Sequence, residues 1–135
     1  MSCYWTGIYN ALESEDYDYI NVDNPMNLKE LVSLLQDNNK IKVDTKWQNK
    51  NLSSKEYLEH FLHRKMYDTD LINTGYLCST CDPFLCLVAD LFNINIIHEY
   101  MGNSINYSVD NPRKLLKFYS NSGHFWFKII RRTYK

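Results

Sequence analysis

Two residues at opposite ends of the chain could together perform nucleophilic catalysis. Cys3 opens a segment whose apolar residues recur with the period of a helix. A thiolate at the head of a helix is stabilised by the free backbone N–H groups there. A cysteine nucleophile also needs a base that is close in space, whatever its sequence position. His124 follows the turn sequence NSG and begins the last predicted strand, so its ring can project from the sheet edge towards that helix.

Taken singly, each of these residues has an ordinary structural explanation. A cysteine near a terminus is commonly incidental, and a histidine at the start of a strand is commonly a capped or core residue. Their joint placement, 121 positions apart at the two ends of one small domain, favours the catalytic interpretation.

The other three cysteines raise the question of a zinc site. Cys78, Cys81 and Cys86 have the spacing C-x2-C-x4-C, and a C-x2-C pair can place two thiolates on one tetrahedral ion. Four ligands are needed, and His98, the available histidine, lies in an apolar segment. Cys86 sits in an apolar helical run, where a free cysteine is usually core filler. We therefore assign no metal ligand and keep a small zinc-stabilised interaction domain as an alternative.

The hydrophobic period predicts which elements must position these residues. A period of 3.6 and helix-capping signals predict helices over 3–12, 27–38, 53–65 and 83–92. A period of two predicts strands over 94–100, 104–109, 114–120 and 124–131. The acidic stretch 13–24 is expected to be a loop, and 41–47 a short extended segment. Helices followed by consecutive strands predict an α+β fold, with a helical first two-thirds packed on an antiparallel meander.

Two further expectations concern the faces of one predicted helix. In the helix over 53–65, Leu58, Phe61 and Leu62 are expected to face the core, and His60 and His63 to be solvated.

Composition bounds the class of protein. The 135 residues suit one domain, 1–135, and the aromatic content of 15% and charged content of 23% are those of a globular protein. Fifteen basic against sixteen acidic residues argue against a general nucleic-acid binder. Apolar runs are too short for a membrane span, and the first residues lack the pattern of a signal peptide. We therefore expect reduced thiols, a monomer and a cytoplasmic location.

The order of these motifs resembles that of the ovarian-tumour (OTU) cysteine proteases and the smaller viral papain-like proteases related to them. That pattern has a Cys-aromatic at the start of an early helix, further helices, a helix of small and apolar residues, a strand of the NI-I-I kind and a late His-aromatic. The matching pieces here are Cys3-Tyr4-Trp5 with Ile8 and Ala11-Leu12, SSKEYLEHFL (53–62), DPFLCLVADLFNINIIHEY (82–100) and His124-Phe125-Trp126-Phe127.

The resemblance implies a papain-like fold and cleavage after the C-terminal Gly-Gly of ubiquitin or ubiquitin-like modifiers. Some viral members also cut their own polyprotein, and a viral protein would act in the host cytoplasm. Cys3 would be the nucleophile and His124 the base, with Asn121 as the third catalytic residue and Asp110 behind it. Trp5, Trp126 and the stretch around Tyr17 and Tyr19 would line a narrow channel that binds the glycine tail. No organic cofactor is implied.

Two departures from the pattern define an alternative. Met1 and Ser2 stand where many members carry Asp-Gly, and Trp126 stands where many carry Asp or Asn to orient the histidine. A degenerate relative would keep the fold and bind ubiquitin or another host protein without hydrolysis. A bound, unhydrolysed partner would distinguish it from the protease.

Overall fold

The computed structural model describes residues 3–121 and 123–127, which form an α+β fold. Its helices are α1 (Cys3–Ala11), α2 (Ser14–Tyr19), α3 (Leu28–Asp37), α4 (Ser54–Met66), a 3-10 helix (Thr69–Thr74) and α5 (Pro83–Phe92). Its strands are β1 (Lys46–Trp47), β2 (Asn95–Tyr100), β3 (Asn103–Ser108), β4 (Leu115–Ser120) and β5 (Phe125–Phe127). The predicted continuation of the last strand through 128–131 lies outside the described residues.

Helix starts follow the capping residues in the sequence. Asn27 accepts the Glu30 N–H at the start of α3, and Ser53 and Glu56 form a reciprocal capping box at the start of α4. Asp82 caps α5, and Pro83 occupies its first turn, where a missing N–H costs nothing. These three predictions are confirmed.

The inward face of α4 differs from the prediction. Leu58 and Leu62 are 48% and 45% exposed, whereas Tyr57 and Arg64 are buried. Arg64 can be buried because its guanidinium donates to the backbone carbonyls of Lys40 and Pro83 and to Asn39. Arg64 on the inward side of α4 thus satisfies one backbone carbonyl at the start of α5 and another in the segment after α3.

The acidic stretch expected to be a loop contains a short helix. Glu13 and Asp16 form a capping box at the start of α2. Asp16 is fully buried, and its carboxylate binds Arg113 at 2.8 Å and Lys114 at 2.7 Å. The acidity of this segment therefore serves an internal ion pair that fastens α2 to the loop before β4.

The sheet is mixed, which corrects the predicted antiparallel meander. Its order within the described residues is β1-β3-β2-β4-β5. β2 pairs antiparallel with β3 but parallel with β4, with His98 opposite Phe118 and Tyr100 opposite Ser120. β5 is antiparallel to β4.

The parallel pair needs only a short connection because of the hairpin before it. β3 returns the chain to the end of the sheet at which β2 begins, so residues 109–114 pass the start of β2 and enter β4 beside it. Two hydrogen bonds fasten this passage: Val109 N–H donates to Asn95 Oδ1, and Arg113 N–H donates to the carbonyl of Asn93. Strand periodicity indicates which face of a strand is buried but not which neighbour the strand pairs with. The predicted meander is therefore wrong, whereas the strand positions are confirmed, the last of them as far as Phe127.

α5 occupies the centre of the fold. Eight of its ten residues are buried, and it packs on α3, α4 and the sheet strands β2 and β3. A helix that is apolar on all sides is suited to this position. In the described part of the chain, no helix is both long and apolar enough to cross a bilayer.

The buried Asp16 gives a prediction for acid stability. Burial alone would raise the pKa of Asp16, but the Glu13 N–H, Lys114 and Arg113 together hold that pKa below its usual value of 3.8. A carboxyl with a depressed folded-state pKa contributes stability above 3.8 that is lost as pH falls through the lower value. Asp16→Asn should therefore lower the free energy of unfolding by about 2 kcal/mol at pH 7, with the difference shrinking in acid.

Urea denaturation at a series of pH values measures this difference. The control is Glu15→Gln on the same helix, whose side chain is 64% exposed and should have little effect. A deficit of Asp16→Asn that stays constant into strong acid would contradict the ionic explanation.

Candidate active site

Cys3 and His124 lie next to each other at the surface. Cys3 is the first residue of α1, and its Sγ is 4.0 Å from Nδ1 of His124, the residue just before β5. Both side chains are exposed. The separation is at the outer limit for a hydrogen bond involving sulfur, and such contacts are often long in unliganded enzymes. Sγ can pass its proton to Nδ1 if the neutral ring carries its own proton on Nε2.

Close packing of α1 on β5 makes this approach possible. A Cβ on Gly7 would lie 3.0 Å from Cδ1 of Phe125, so the absence of a side chain there lets the helix approach the strand. One turn earlier, the Tyr4 ring lies 4.9 Å from the Phe125 ring. Cys3 directly precedes Tyr4 in the sequence, and His124 directly precedes Phe125. The contact between the two rings therefore brings Cys3 and His124 together.

Tyr4 is the residue that fixes the head of α1. It is buried, and its hydroxyl donates a 2.6 Å hydrogen bond to Oδ1 of Asp82, the cap of α5. Burial first, and then Asp82, raise the pKa of Tyr4, so the phenol keeps the proton that it donates. Tyr76 stacks on the Tyr4 ring with the ring centroids 4.2 Å apart. The backbone that carries Cys3 is thereby anchored to the central helix.

Asn121 holds the turn that carries His124 rather than the imidazole ring. Its Oδ1 accepts the backbone N–H groups of Gly123 and His124, both at 2.9 Å. Its own N–H donates to the carbonyl of His124. No hydrogen bond joins the Asn121 side chain to the His124 ring. The predicted catalytic role is therefore replaced by a positioning role, and Asp110 lines a separate groove.

The two tryptophans do not wall the cleft. Trp5 is fully buried, and its indole N–H donates to the Tyr67 hydroxyl, which makes it a core residue. Trp126 is 42% exposed and stacks on Tyr119. Since successive residues of a strand face opposite sides, Trp126 and Phe125 point away from each other, and it is Phe125 that lines the cleft.

The cleft at Cys3 and His124 is small, with a volume of about 270 Å³. One wall is the irregular segment 75–78, another is formed by the ends of β2 and β4 at Tyr100 and Ser120. A larger groove of about 590 Å³ lies elsewhere and is lined by Lys42, Asp44 and Asp90, among others. The described residues that line that groove include no cysteine or histidine, so the cysteine–histidine pair belongs to the smaller cleft.

A second cysteine–histidine pair, which sequence reasoning missed, borders the same cleft. Cys78 Sγ lies 4.0 Å from Nδ1 of His98, and Nε2 of His98 bonds the Ser120 hydroxyl at 2.6 Å. His98 is buried, and burial lowers its pKa. Burial first, and then Asp82, raise the pKa of the Cys78 thiol well above its ordinary value. This pair is therefore neutral and internally bonded. The alternation of Ile96 and His98 on one strand face was the sequence signal for its burial.

The cysteines considered as a zinc set are not one cluster. Cys81 and Cys86 lie with His60 of α4, which is half-buried and not solvated as predicted, whereas Cys78 is the thiol paired with His98. A hydrogen bond with Cys86 lowers the pKa of the Cys81 thiol to about 6. Burial acts in the opposite direction and raises that pKa, whereas His60 lowers it further. The hydrogen bond to Cys81, followed by burial, raises the pKa of Cys86. His63, the other predicted solvated histidine, bonds the Tyr76 hydroxyl at 3.0 Å.

Comparisons of the chain with protein-family models, with curated protein sequences and with solved structures gave no match.

The positioning role of Asn121 can be separated from a role at the ring. Asn121→Ala removes the acceptor for two backbone N–H groups and should lower the free energy of unfolding by about 1–2 kcal/mol. Asn121→Asp keeps that acceptor and should restore most of the loss. Chemical denaturation of the three proteins measures the effect. If Asn121→Asp is as unstable as Asn121→Ala, the amide nitrogen and not the oxygen is the group that matters.

Proposed function

We propose that this protein is a cysteine protease of the OTU-like type that cleaves the amide bond after the C-terminal Gly-Gly of ubiquitin or a ubiquitin-like modifier. The observation that supports it is the 4.0 Å approach of Cys3 Sγ to His124 Nδ1 in an open cleft at the head of α1. The substrate class rests on the sequence resemblance, and the 4.0 Å distance supports the roles predicted for Cys3 as nucleophile and His124 as base.

In this proposal each part of the site has a defined chemical task. Cys3 Sγ attacks the carbonyl carbon of the scissile amide as its proton passes to His124 Nδ1. The backbone N–H of Cys3, at the start of α1, would face the developing oxyanion. His124 then gives the proton to the leaving amine, and the acyl-enzyme forms. Water, deprotonated by the same imidazole, attacks the thioester and releases the carboxylate and Cys3.

The shape of the cleft supports a narrow, extended substrate. Its volume of about 270 Å³ is below the range of about 300–1,000 Å³ that is usual for small-molecule sites. Gly75, with φ at +98°, occupies a backbone conformation that favours glycine and so shapes the wall. Tyr76 and Leu77 make no backbone–backbone hydrogen bond with other described residues, so their main-chain groups are free to pair with a peptide tail. Leu77, which is 93% exposed, adds an apolar contact at the mouth.

A ubiquitin probe with a C-terminal electrophile tests the proposal. The folded protein should form one covalent adduct at Cys3, because the probe's tail delivers the electrophile to that thiol. Cys3→Ala should abolish the adduct, and His124→Ala should slow its formation by at least about tenfold through loss of the base. Intact-mass spectrometry and peptide mapping measure the product.

The matched control is Cys78→Ser, which removes the neutral thiol of the same cleft and should leave the Cys3 adduct in place. Protein unfolded in urea controls for ordinary thiol reactivity and should not be labelled selectively. An adduct that survives Cys3→Ala, or no adduct with the folded protein, would refute the protease proposal for this modifier class.

One observation favours a second candidate, a binding module that engages the modifier without turnover. In the described part of the chain, no side chain holds Nε2 of His124, so the imidazole lacks the orienting partner of a full triad. Ubiquitin affinity by calorimetry together with no hydrolysis of a fluorogenic ubiquitin substrate would support this candidate. Cys3-dependent hydrolysis would exclude it.

A further inference from the structure

A half-buried cluster on the junction of α4 and α5 contains three metal-ligating side chains that the cysteine–histidine cleft does not use. His60, Cys81 and Cys86 each offer one ligand atom, and these atoms all lie within 4.8 Å of one another. His60 comes from the middle of α4, Cys81 from the turn before α5, and Cys86 from the first turn of α5. They converge because Arg64, one turn beyond His60, ties α4 to the carbonyl of Pro83 at the start of α5.

A second feature of the cluster is an unsatisfied polar atom. Nδ1 of His60 is buried and has no hydrogen-bond partner among the described residues. A buried ring nitrogen without a partner costs free energy, and such atoms in native proteins call for an explanation. A metal ion in the cluster would supply one by binding that nitrogen directly.

We propose that His60, Cys81 and Cys86 form a zinc site in which solvent water occupies the fourth position. Two thiolates and one imidazole are ligands that zinc favours, and three protein ligands with an open fourth position is a known arrangement. Zn–S and Zn–N bonds of about 2.3 and 2.0 Å place tetrahedral ligand atoms about 3.5–3.8 Å apart. The cluster therefore needs side-chain movements of only about 1 Å to contract around the ion. Since His60 and Cys81 are only partly buried, the ion can enter from solvent.

A zinc ion at this site would cross-link α4 and α5 next to the wall of the cleft. It joins α4 to the head of α5, and Cys81 is three residues beyond Cys78, the last residue of the wall segment 75–78. Metal binding would thus stabilise the fold and restrict that wall. This inference does not depend on the protease proposal, because neither Cys3 nor His124 takes part.

Metal content and metal-dependent stability test the site directly. Protein purified under reducing conditions from zinc-supplemented medium should contain about one equivalent of zinc by mass spectrometry of the metal. His60→Asn and Cys81→Ser should each reduce the content below about one-quarter of an equivalent. The fully buried Cys86 is left intact so that the variants keep the core. His63→Asn and Cys78→Ser are matched controls from the same helix and the same cysteine run, and should retain the metal.

Thermal unfolding gives an independent readout. EDTA should lower the melting temperature of the wild-type protein and leave that of His60→Asn unchanged. Cobalt should bind the metal-free protein with intense thiolate-to-metal absorption that Cys81→Ser reduces. The proposal is overturned by less than about half an equivalent of zinc in the wild-type protein, by zinc that persists in both His60→Asn and Cys81→Ser, or by a Cys81–Cys86 disulfide in the reduced preparation.

Discussion

The buried carboxylate of Asp82 is the constraint on which the positions of the other parts depend. It is fully buried and accepts hydrogen bonds from the hydroxyl of Tyr4 and from the N–H groups of Ser79, Phe84 and Leu85. Its own N–H donates to the Tyr107 hydroxyl on β3. A buried carboxylate is tolerable only when its oxygens are fully used, so each partner is held at the place that satisfies it. The Asp82 side chain thus fixes α1, α5 and the segment next to the cleft wall relative to each other, and the backbone N–H of the same residue links them to the sheet.

The Asp82 network accounts for the difference between the two cysteine–histidine pairs. Cys78 lies in the segment fastened by Asp82, where burial and the nearby carboxylate favour its neutral thiol, and its histidine is buried and bonded to Ser120. Cys3 lies one residue before Tyr4 and so is placed by the same network, but it faces solvent. The same Sγ–Nδ1 distance of 4.0 Å therefore occurs in one closed pair and one open pair. Only in the open pair are both the cysteine and the histidine exposed to solvent.

Local features of the fold were predictable from the sequence because they depend on neighbouring residues. Asn27, Ser53 and Asp82 cap the helices they were expected to cap, and the four late strands lie at the predicted positions. The parallel pairing of β2 with β4 was not predictable, since it depends on where the β2–β3 hairpin leaves the chain. The burial of Arg64 was also hidden, because it is stabilised by backbone carbonyls that are distant in sequence.

The candidate site likewise has features that the sequence predicts and features that depend on the folded structure. Residue type and order were enough to predict that Cys3 and His124 would lie close together, and their side chains are 4.0 Å apart. The assignments that failed depended on side-chain direction: Trp5 turns into the core, and Asn121 turns towards the backbone of its own loop. Gly7 gave no chemical signal, although its lack of a side chain sets the approach of α1 to β5. The grouping of His60 with Cys81 and Cys86 required the packing of α4 on α5.

The central claim is that Cys3 and His124 act as one chemical unit, and the alkylation rate of Cys3 tests it most directly. Iodoacetamide is applied at neutral pH to the folded protein and to His124→Ala, and mass spectrometry of peptides reports the rates at Cys3 and at Cys78. A coupled pair predicts that Cys3 reacts faster than Cys78 and slows by at least about tenfold in His124→Ala, while Cys78 is unaffected. Equal Cys3 rates in the two proteins would contradict it.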